Sequence, residues 1–543
     1  MATTKPDIII ILNDDMGFSD IGCYGGEIET PNLDRLAAGG LSYSQFYNTA
    51  RCSPSRASLL TGLHPHQTGI GILTYDTGPE GYAGDLNKRC VTIAEVLKEA
   101  GYGTYLSGKW HVAKNLTEPT DSWPMQRGFE KFFGTIIGAG SFYHPNTLTR
   151  GNESAEHEAT DNPEFFYTDA ISDQAADFIR DHHRESPDKP LFQYVAYTAP
   201  HWPLHAHDED IAKYKGRFDD GWDKLREQRL ERLVRAGIID ASWMLTDRDP
   251  TQPAWENAEQ KEWLLRCMEV YAAQIDRMDQ GIGRIIKALE ETGRLDNTFL
   301  LFLSDNGACA EDIPEGVDVQ SLVDDLMIAQ ARTRDGRPVL LGNDPTVMPG
   351  PEDTYQSYGV AWANMSNAPF RLYKHWIHEG GIATPLIVHW PEGIEDKGGV
   401  RHVPGQLPDL MATVLEITGA IYPQTYKGNQ ILPLEGISLS KSFDADYDRQ
   451  EPLFWEHEGN AAVRVGKWKL VRNYPADWEL YDMESDRTET RDLASVHPDR
   501  VKDMLFLYED WARRCGVIPR EKILEEMKKL GGTAFWEKED EEA

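Results

Sequence analysis

The run Ile8-Ile9-Ile10-Ile11-Leu12 is continuously apolar and largely β-branched, a pattern that predicts a strand buried on both faces. Gly103–Ser107, Leu191–Tyr197, Thr298–Leu303 and Pro385–His389 read as further strands. Helical spacing alternates with these runs. Thr30 is placed to cap a short helix with Pro31 at its first position, and Thr92 to cap Ile93–Ala100, which Gly101 closes. From Glu259 to Thr292, Leu264, Cys267, Tyr271, Ile275, Met278, Ile282, Ile285 and Leu289 recur at steps of three and four. This predicts one long amphipathic helix, ended by Gly293. Alternation of strand and helix predicts an α/β fold, a large mixed sheet sandwiched by helices.

Two stretches break the alternation. His205 to Pro253 loosens into a polar, Arg-rich and Asp-rich segment, and Glu311 to Tyr358 is rich in Pro, Gly and Asp. Both read as insertions at the sheet edges, where specificity is usually housed. From Glu451 the pattern changes to short segments, Leu453–Trp455, Ala461–Val465, Trp468–Arg472 and Trp478–Tyr481, separated by turns. They predict a small antiparallel sheet, followed by a helix carrying Val501, Met504, Leu505, Tyr508 and Trp511. The expected division is a catalytic domain over 1–430 and a C-terminal subdomain over 431–543, with Glu537–Ala543 as a solvated charged tail.

Composition narrows the function. With 55 basic and 89 acidic residues the formal charge is −34, so nucleic acid and acidic membranes are poor partners. No run of 18 apolar residues predicts a membrane span. The six cysteines form no C-x-x-C pair and fit a reducing compartment. The chain as it stands reads as cytoplasmic, or as periplasmic where a signal peptide has been removed.

Polar clusters follow four of the predicted strands: Asp14 and Asp15, then Lys109 and His111, then His201, then Asp305 and Asn306. In an open α/β sheet, ligands bind outside the carboxyl ends of the strands, so these clusters converge on one site. Asp14, Asp15, Asp305 and Asn306 are hard oxygen donors suited to calcium or magnesium; each alone also fits a turn or cap. Lys109, Lys374 and Arg56 are either solvated charges or a local cationic cluster for an anionic substrate. His111 and His201 suit either packing or proton transfer. Pro54 starts a helix, so Cys52 stands just before a helix N-terminus, either as an activated thiolate or as a small core residue.

The motif Cys52-Ser53-Pro54-Ser55-Arg56, followed by Leu59-Leu60-Thr61-Gly62, resembles the sequence at which type I sulfatases have their cysteine oxidised to formylglycine. Arg51 departs from the small or aliphatic residue usual before that cysteine. The resemblance continues through Leu12-Asn13-Asp14-Asp15-Met16-Gly17, Gly101 to His111, Asp305-Asn306-Gly307, Ala199 to Leu204, and Tyr373-Lys374-His375 with His378 to Gly381. Bacterial arylsulfatases of the alkaline phosphatase superfamily are the nearest likeness.

That resemblance implies an alkaline-phosphatase-like fold and a sulfuric ester hydrolase acting on aryl or carbohydrate sulfates. It implies calcium, with magnesium as the alternative, bound by Asp14, Asp15, Asp305, Asn306 and the modified Cys52. Arg56 would hold the formylglycine hydrate deprotonated, Lys109 and Lys374 would neutralise sulfuryl oxygens, His201 would protonate the leaving alcohol, and His111 would take the proton that expels sulfate. A formylglycine-generating or anaerobic sulfatase-maturating enzyme is then a required partner. His64 and His66 are expected to organise the loop after Gly62, and His205 and His378 to line the mouth; Glu456–Asn460 reads first as a plain loop between strands, with a loop that leans over the pocket as the alternative. The rival readings are a phosphonate monoester or phosphodiester hydrolase of the same superfamily, and a non-catalytic, metal-holding sulfoglycan binder.

Overall fold

A computed structural model describes residues 5–316, 322–323 and 326–529; the charged tail Glu537–Ala543 lies outside them. Strand β1 (Asp7–Asn13) is buried along its whole length. Its side chains alternate between two cores. Ile9 and Ile11 join one with Ile171, Phe178, Ile275 and Ile282 from the helices Tyr167–Glu185 and Lys261–Glu291. Ile8, Ile10 and Leu12 join the other with Leu59, Leu97 and Leu410. This two-sided burial is why the strand tolerates no polar alternation.

The remaining strands of the main sheet are β2 (Leu41–Tyr47), β3 (Gly103–Gly108), β4 (Lys131–Thr135), β5 (Leu148–Arg150), β6 (Glu153–Ser154), β7 (Leu191–Ala196) and β8 (Thr298–Ser304), with Ala383–His389 and short pieces near 400. Their order is Gly399–Arg401, β2, Ala383–His389, β8, β1, β7, β3, β4, β5, β6. The neighbours β8, β1, β7 and β3 are all parallel, so their carboxyl ends share one edge. Ala383–His389 runs antiparallel to both β8 and β2. Therefore β2 also ends on that edge, and the chain entering Ala383 starts from it.

The C-terminal meander is antiparallel as expected, Leu453–His457, Asn460–Val465, Trp468–Arg472 and Trp478–Asp482. The helix Pro498–Cys515 covers it with Met504, Tyr508 and Trp511. Glu379 docks this sheet on the main one. Lys469 Nζ lies 2.9 Å from Glu379 Oε1 and 2.8 Å from Glu489 Oε1, while Arg487 Nε lies 2.8 Å from Glu379 Oε2, all fully buried.

Three expectations are corrected. The loose stretch after His205 contains two helices, Asp208–Tyr214 and Gly221–Arg235. Arginines hold buried positions of the second helix: Arg229 is fully enclosed, 2.7 Å from both Asp20 Oδ1 and Glu27 Oε2, and this conceals the apolar stripe. Thr30 does stand at the N-cap of its helix, Pro31–Ala38, but its side chain does not supply the cap; its hydroxyl accepts from Gly22 N, and Asp279 receives the amides of Asn32 and Leu33 from outside. His205 and His378 do not line a mouth, because both are completely buried. His205 donates to Thr354 O at 2.7 Å, and His378 to Glu479 Oε2 at 2.9 Å.

Candidate active site

Each predicted residue is delivered by an element ending on the shared edge. Asp14 and Asp15 follow β1, Lys109 and His111 follow β3, His201 follows β7, and Asp305 and Asn306 follow β8. Cys52 follows β2 and is the first residue of the helix Cys52–Thr61, rather than preceding it. Lys374 comes from the loop before Ala383, where Lys374 N donates to Ala308 O at 3.0 Å and His375 N to Ala50 O at 2.7 Å. The crossing at β3 needs glycine: Gly108 has φ +115°, and a Cβ there would stand 1.9 Å from Ala196 O.

At the centre, the acids and cations interlock. Lys109 Nζ donates to Asp14 Oδ2. Arg56 Nη2 donates to Asp305 Oδ2 at 2.8 Å and lies 3.5 Å from Asp14 Oδ2. Lys374 Nζ donates to Asp15 Oδ2 at 3.0 Å, and Asn306 Nδ2 donates to Asp15 Oδ1 at 2.7 Å. The Asp15 amide closes the ring on Asp305 Oδ1 at 3.2 Å. All seven side chains are buried, at 4 % exposure or less.

Buried carboxylates this close cannot all hold charge without compensation. Burial, and then the charge of Asp14, push Asp305 up to about 7. Burial raises Asp14 as well, but Lys109, His201 and Arg56 outweigh it and hold this carboxyl well below its usual range. Burial works against the Lys374 ammonium, yet Asp15, Cys309 and Glu311 keep it charged.

A divalent cation fits these donors. Asp14 Oδ1 and Asn306 Oδ1 are buried with no hydrogen-bond partner, a costly state that a hard cation would relieve. Asp14, Asp15 and His201 also bring one donor atom each within 4.8 Å of one another. His201 is the poorer donor for a hard cation, and its Nδ1 is already engaged, donating to Trp202 O at 2.7 Å. This leaves Nε2 facing Lys374 Nζ at 3.4 Å and Asp15 Oδ2 at 3.3 Å.

The histidine rings are set for proton traffic. Burial lowers the pKa of His201, with Asp15 pulling the other way. His111 is lowered well below its ordinary value by burial and then by Lys109 and Arg56. Its backbone is left-handed at φ 54°, and its Nδ1 is buried without a partner. Burial pushes the Cys52 thiol up, against Lys109 and Lys374, so helix placement does not by itself make it a thiolate.

Sequence reasoning missed Glu311 and Asn13. Glu311 lies 2.7 Å from Arg51 Nη1 and 3.6 Å from Lys374 Nζ, and accepts from Trp202 Nε1 at 3.1 Å. It falls in a stretch without periodicity, so nothing local marked it. Asn13 ends β1, and both of its amide atoms are buried without partners; its place beside Asp14 was the available signal. His64 and His66 do organise their loop: His64 caps the helix Pro65–Thr68, and His66 Nε2 donates to Glu456 Oε2 at 2.7 Å.

Residues 6–420 match the sulfatase family model. The chain is a sulfatase. Residues 370–505 also match the model described as N-sulphoglucosamine sulphohydrolase, C-terminal. An uncharacterized sulfatase of Schizosaccharomyces pombe is 32% identical, over 95% of this chain and 94% of its own. An arylsulfatase of Klebsiella aerogenes is 35% identical, over 82% of this chain and 93% of its own. Among solved structures, Ps i-CgsB in complex with k-i-k-neocarrahexaose superposes with TM-score 0.65 at 24% identity, covering 94% of this chain and 93% of that one. The sulfatase therefore has the alkaline-phosphatase-like α/β architecture and is a sulfuric ester hydrolase. No helix among its described residues is long and apolar enough to cross a membrane.

Proposed function

We propose that the sulfatase cleaves sulfate monoesters of aryl or carbohydrate alcohols through a formylglycine made from Cys52. In this reading calcium, with magnesium as the alternative, is held by Asp14, Asp15, Asp305, Asn306 and the modified Cys52. The observation that carries it is the pair of buried, unpartnered oxygens on Asp14 and Asn306, in the cluster that Arg56 ties to the Cys52 helix. When present, the formylglycine supplies a hydrated aldehyde as nucleophile and the cation supplies Lewis acidity toward sulfuryl oxygens.

The chain's own residues do the rest. Arg56 is anchored on Asp305 from the helix that begins at Cys52, and so bears on the nucleophile's negative charge. Lys109 and Lys374 offset charge on the bound sulfate from buried positions, where each cation acts more strongly than in water. His201 keeps its Nδ1 proton on Trp202 O, which leaves Nε2 as the nitrogen open to the leaving oxygen; the proton it hands on comes from the Lys374 ammonium 3.4 Å away, so that Lys374 ends neutral and the alcohol protonated. His111, neutral and with Nδ1 unpartnered, is suited to accept the proton whose removal expels sulfate. Glu311 holds Lys374 and Trp202 in place. The leaving group would lie against Trp202, whose ring stands 4.5 Å from that of His201. A maturating enzyme that oxidises Cys52 is the implied partner, and residue 430 remains the proposed division between catalytic domain and C-terminal subdomain.

Mass spectrometry of the peptide holding Cys52 tests the reading. It should be lighter by the difference between CH₂SH and CHO in proportion to activity, and should react with hydrazides. Full turnover by protein carrying the unmodified thiol would overturn it. Paired aryl sulfate and aryl phosphodiester substrates test the reaction class, with the sulfate expected to turn over faster.

A further inference from the structure

A second cluster of ligand-type side chains lies outside the group just described. His375 Nδ1 stands 3.6 Å from Glu458 Oε2, and the rings of His375 and His457 meet edge to face with centroids 5.5 Å apart. One donor atom from each of His375, His457 and Glu458 lies within 4.8 Å of the other two. His457 is 1% exposed and Glu458 5%. Both ring nitrogens of His457, Nδ1 of His375 and Oε2 of Glu458 are buried without hydrogen-bond partners. Unpartnered buried polar atoms on three side chains that approach one another this closely are costly in a folded protein unless something binds them.

The backbone sets this cluster deliberately. Glu458 and Gly459 form the two-residue turn between Leu453–His457 and Asn460–Val465, with φ of 52° and 88°. This turn brings His457 and Glu458 toward the loop after Lys374, where His375 is left-handed at φ 91°. Asn460 Nδ2 donates to His375 O at 3.3 Å and clips the two loops together.

We propose that His375, His457 and Glu458 form a second metal site, which takes a first-row divalent cation of the Zn²⁺ class. Two imidazole nitrogens and one carboxylate oxygen suit zinc and exclude calcium as a good fit. Ligand atoms of a tetrahedral site with bonds of ~2.1 Å are roughly 3.4 Å apart, so side-chain rotations on the order of 1 Å close the set. His375 is the partly exposed member, with 21% of its side chain accessible, and provides the route of entry. Two guanidinium groups face the cluster. Arg51 is neutralised by Glu311 at 2.7 Å, and Arg520 stands 3.4 Å from Glu458 Oε2, an ion pair that holds the carboxylate beside the histidines. The fourth position is left to water or to an oxygen of the substrate. This site is independent of calcium and of the state of Cys52.

The test uses the full chain, stripped with chelator, supplied with excess calcium and titrated with Co²⁺ alone. One equivalent of Co²⁺ should bind with visible absorption, resist calcium and be displaced by Zn²⁺. Zn²⁺ should raise the melting temperature of the wild type. His457→Ala and the volume-conserving Glu458→Gln should each weaken Co²⁺ binding at least tenfold, while Asp14→Asn should leave it intact. Equal Co²⁺ binding by wild type and Glu458→Gln, or full displacement of Co²⁺ by calcium, would overturn the proposal. So would loss of Co²⁺ in Asp14→Asn.

Discussion

The chemistry of His201 rests on one contact. Because Nδ1 donates to Trp202 O, the tautomer is set, and Nε2 is the nitrogen that relays a proton from the Lys374 ammonium to the leaving group. His201→Ala should slow hydrolysis of a sugar sulfate by roughly 10²- to 10⁴-fold and that of nitrophenyl sulfate only a few-fold, since nitrophenolate needs little protonation. Equal losses in the two rate constants would remove His201 from this role. At Asp14 the structure changes what a substitution means. Its Oδ2 meets Lys109 and Arg56, both fully buried. Asp14→Ala should abolish turnover and calcium binding, and should also cost about 3–5 kcal/mol of stability, because it strands buried cations. Elemental analysis and urea unfolding of the same preparation separate the two effects; full activity with no bound metal would end the metal assignment.

Among the elements, the meander and the main sheet are joined by charge as much as by apolar packing. Burial raises Glu379, but Lys469 and Arg487 outweigh it and hold its carboxyl at about 2. Tyr47 Oη donates to Glu379 Oε2 at 3.0 Å, tying β2 into the same knot. Lys469→Met should destabilise the protein by about 3–5 kcal/mol, since it leaves Glu379 and Glu489 buried beside one fewer cation. The midpoint of urea unfolding measures this; a change within error would show that the cluster contributes nothing net. The capped helix Ile93–Glu99 behaves more simply. Thr92 Oγ1 accepts from Glu95 N at 3.1 Å, and Glu95 Oε2 accepts from Thr92 N at 2.9 Å. Thr92→Ala should cost about 1 kcal/mol.

For the whole molecule, acid sensitivity follows from histidines buried without charge. Burial lowers both His64 and His205 to about 4. Their unfolded forms bind protons near pH 6.5, so stability is complete above that pH and is lost as pH falls toward 4. His205→Gln should shrink the loss of unfolding free energy between pH 7 and pH 5 by roughly 2 kcal/mol. An unchanged pH dependence would assign the acid sensitivity to other groups.

How much was legible in the chain divides along the range of the interactions. Ile8–Leu12, Leu191–Tyr197, Thr298–Leu303 and the long helix to Thr292 were readable because burial on a strand or helix repeats over a few residues. Strand β2, with its mixed Leu-Ser-Tyr-Ser-Gln-Phe-Tyr pattern, and the helix Gly221–Arg235 were not. Their polar positions are buried against partners far away in sequence, as Arg229 is against Asp20 and Glu27. The same holds at the site. The clusters after β1, β3, β7 and β8 could be named from sequence, because a parallel sheet puts polar residues at strand ends. Only the tertiary structure decided that Asp305 pairs with Arg56, that Glu311 reaches Lys374, and that His205 and His378 are sealed inside. It alone brought His457 and Glu458 to His375, more than eighty residues away, because contact between distant segments is set by how the sheets dock and not by any local period.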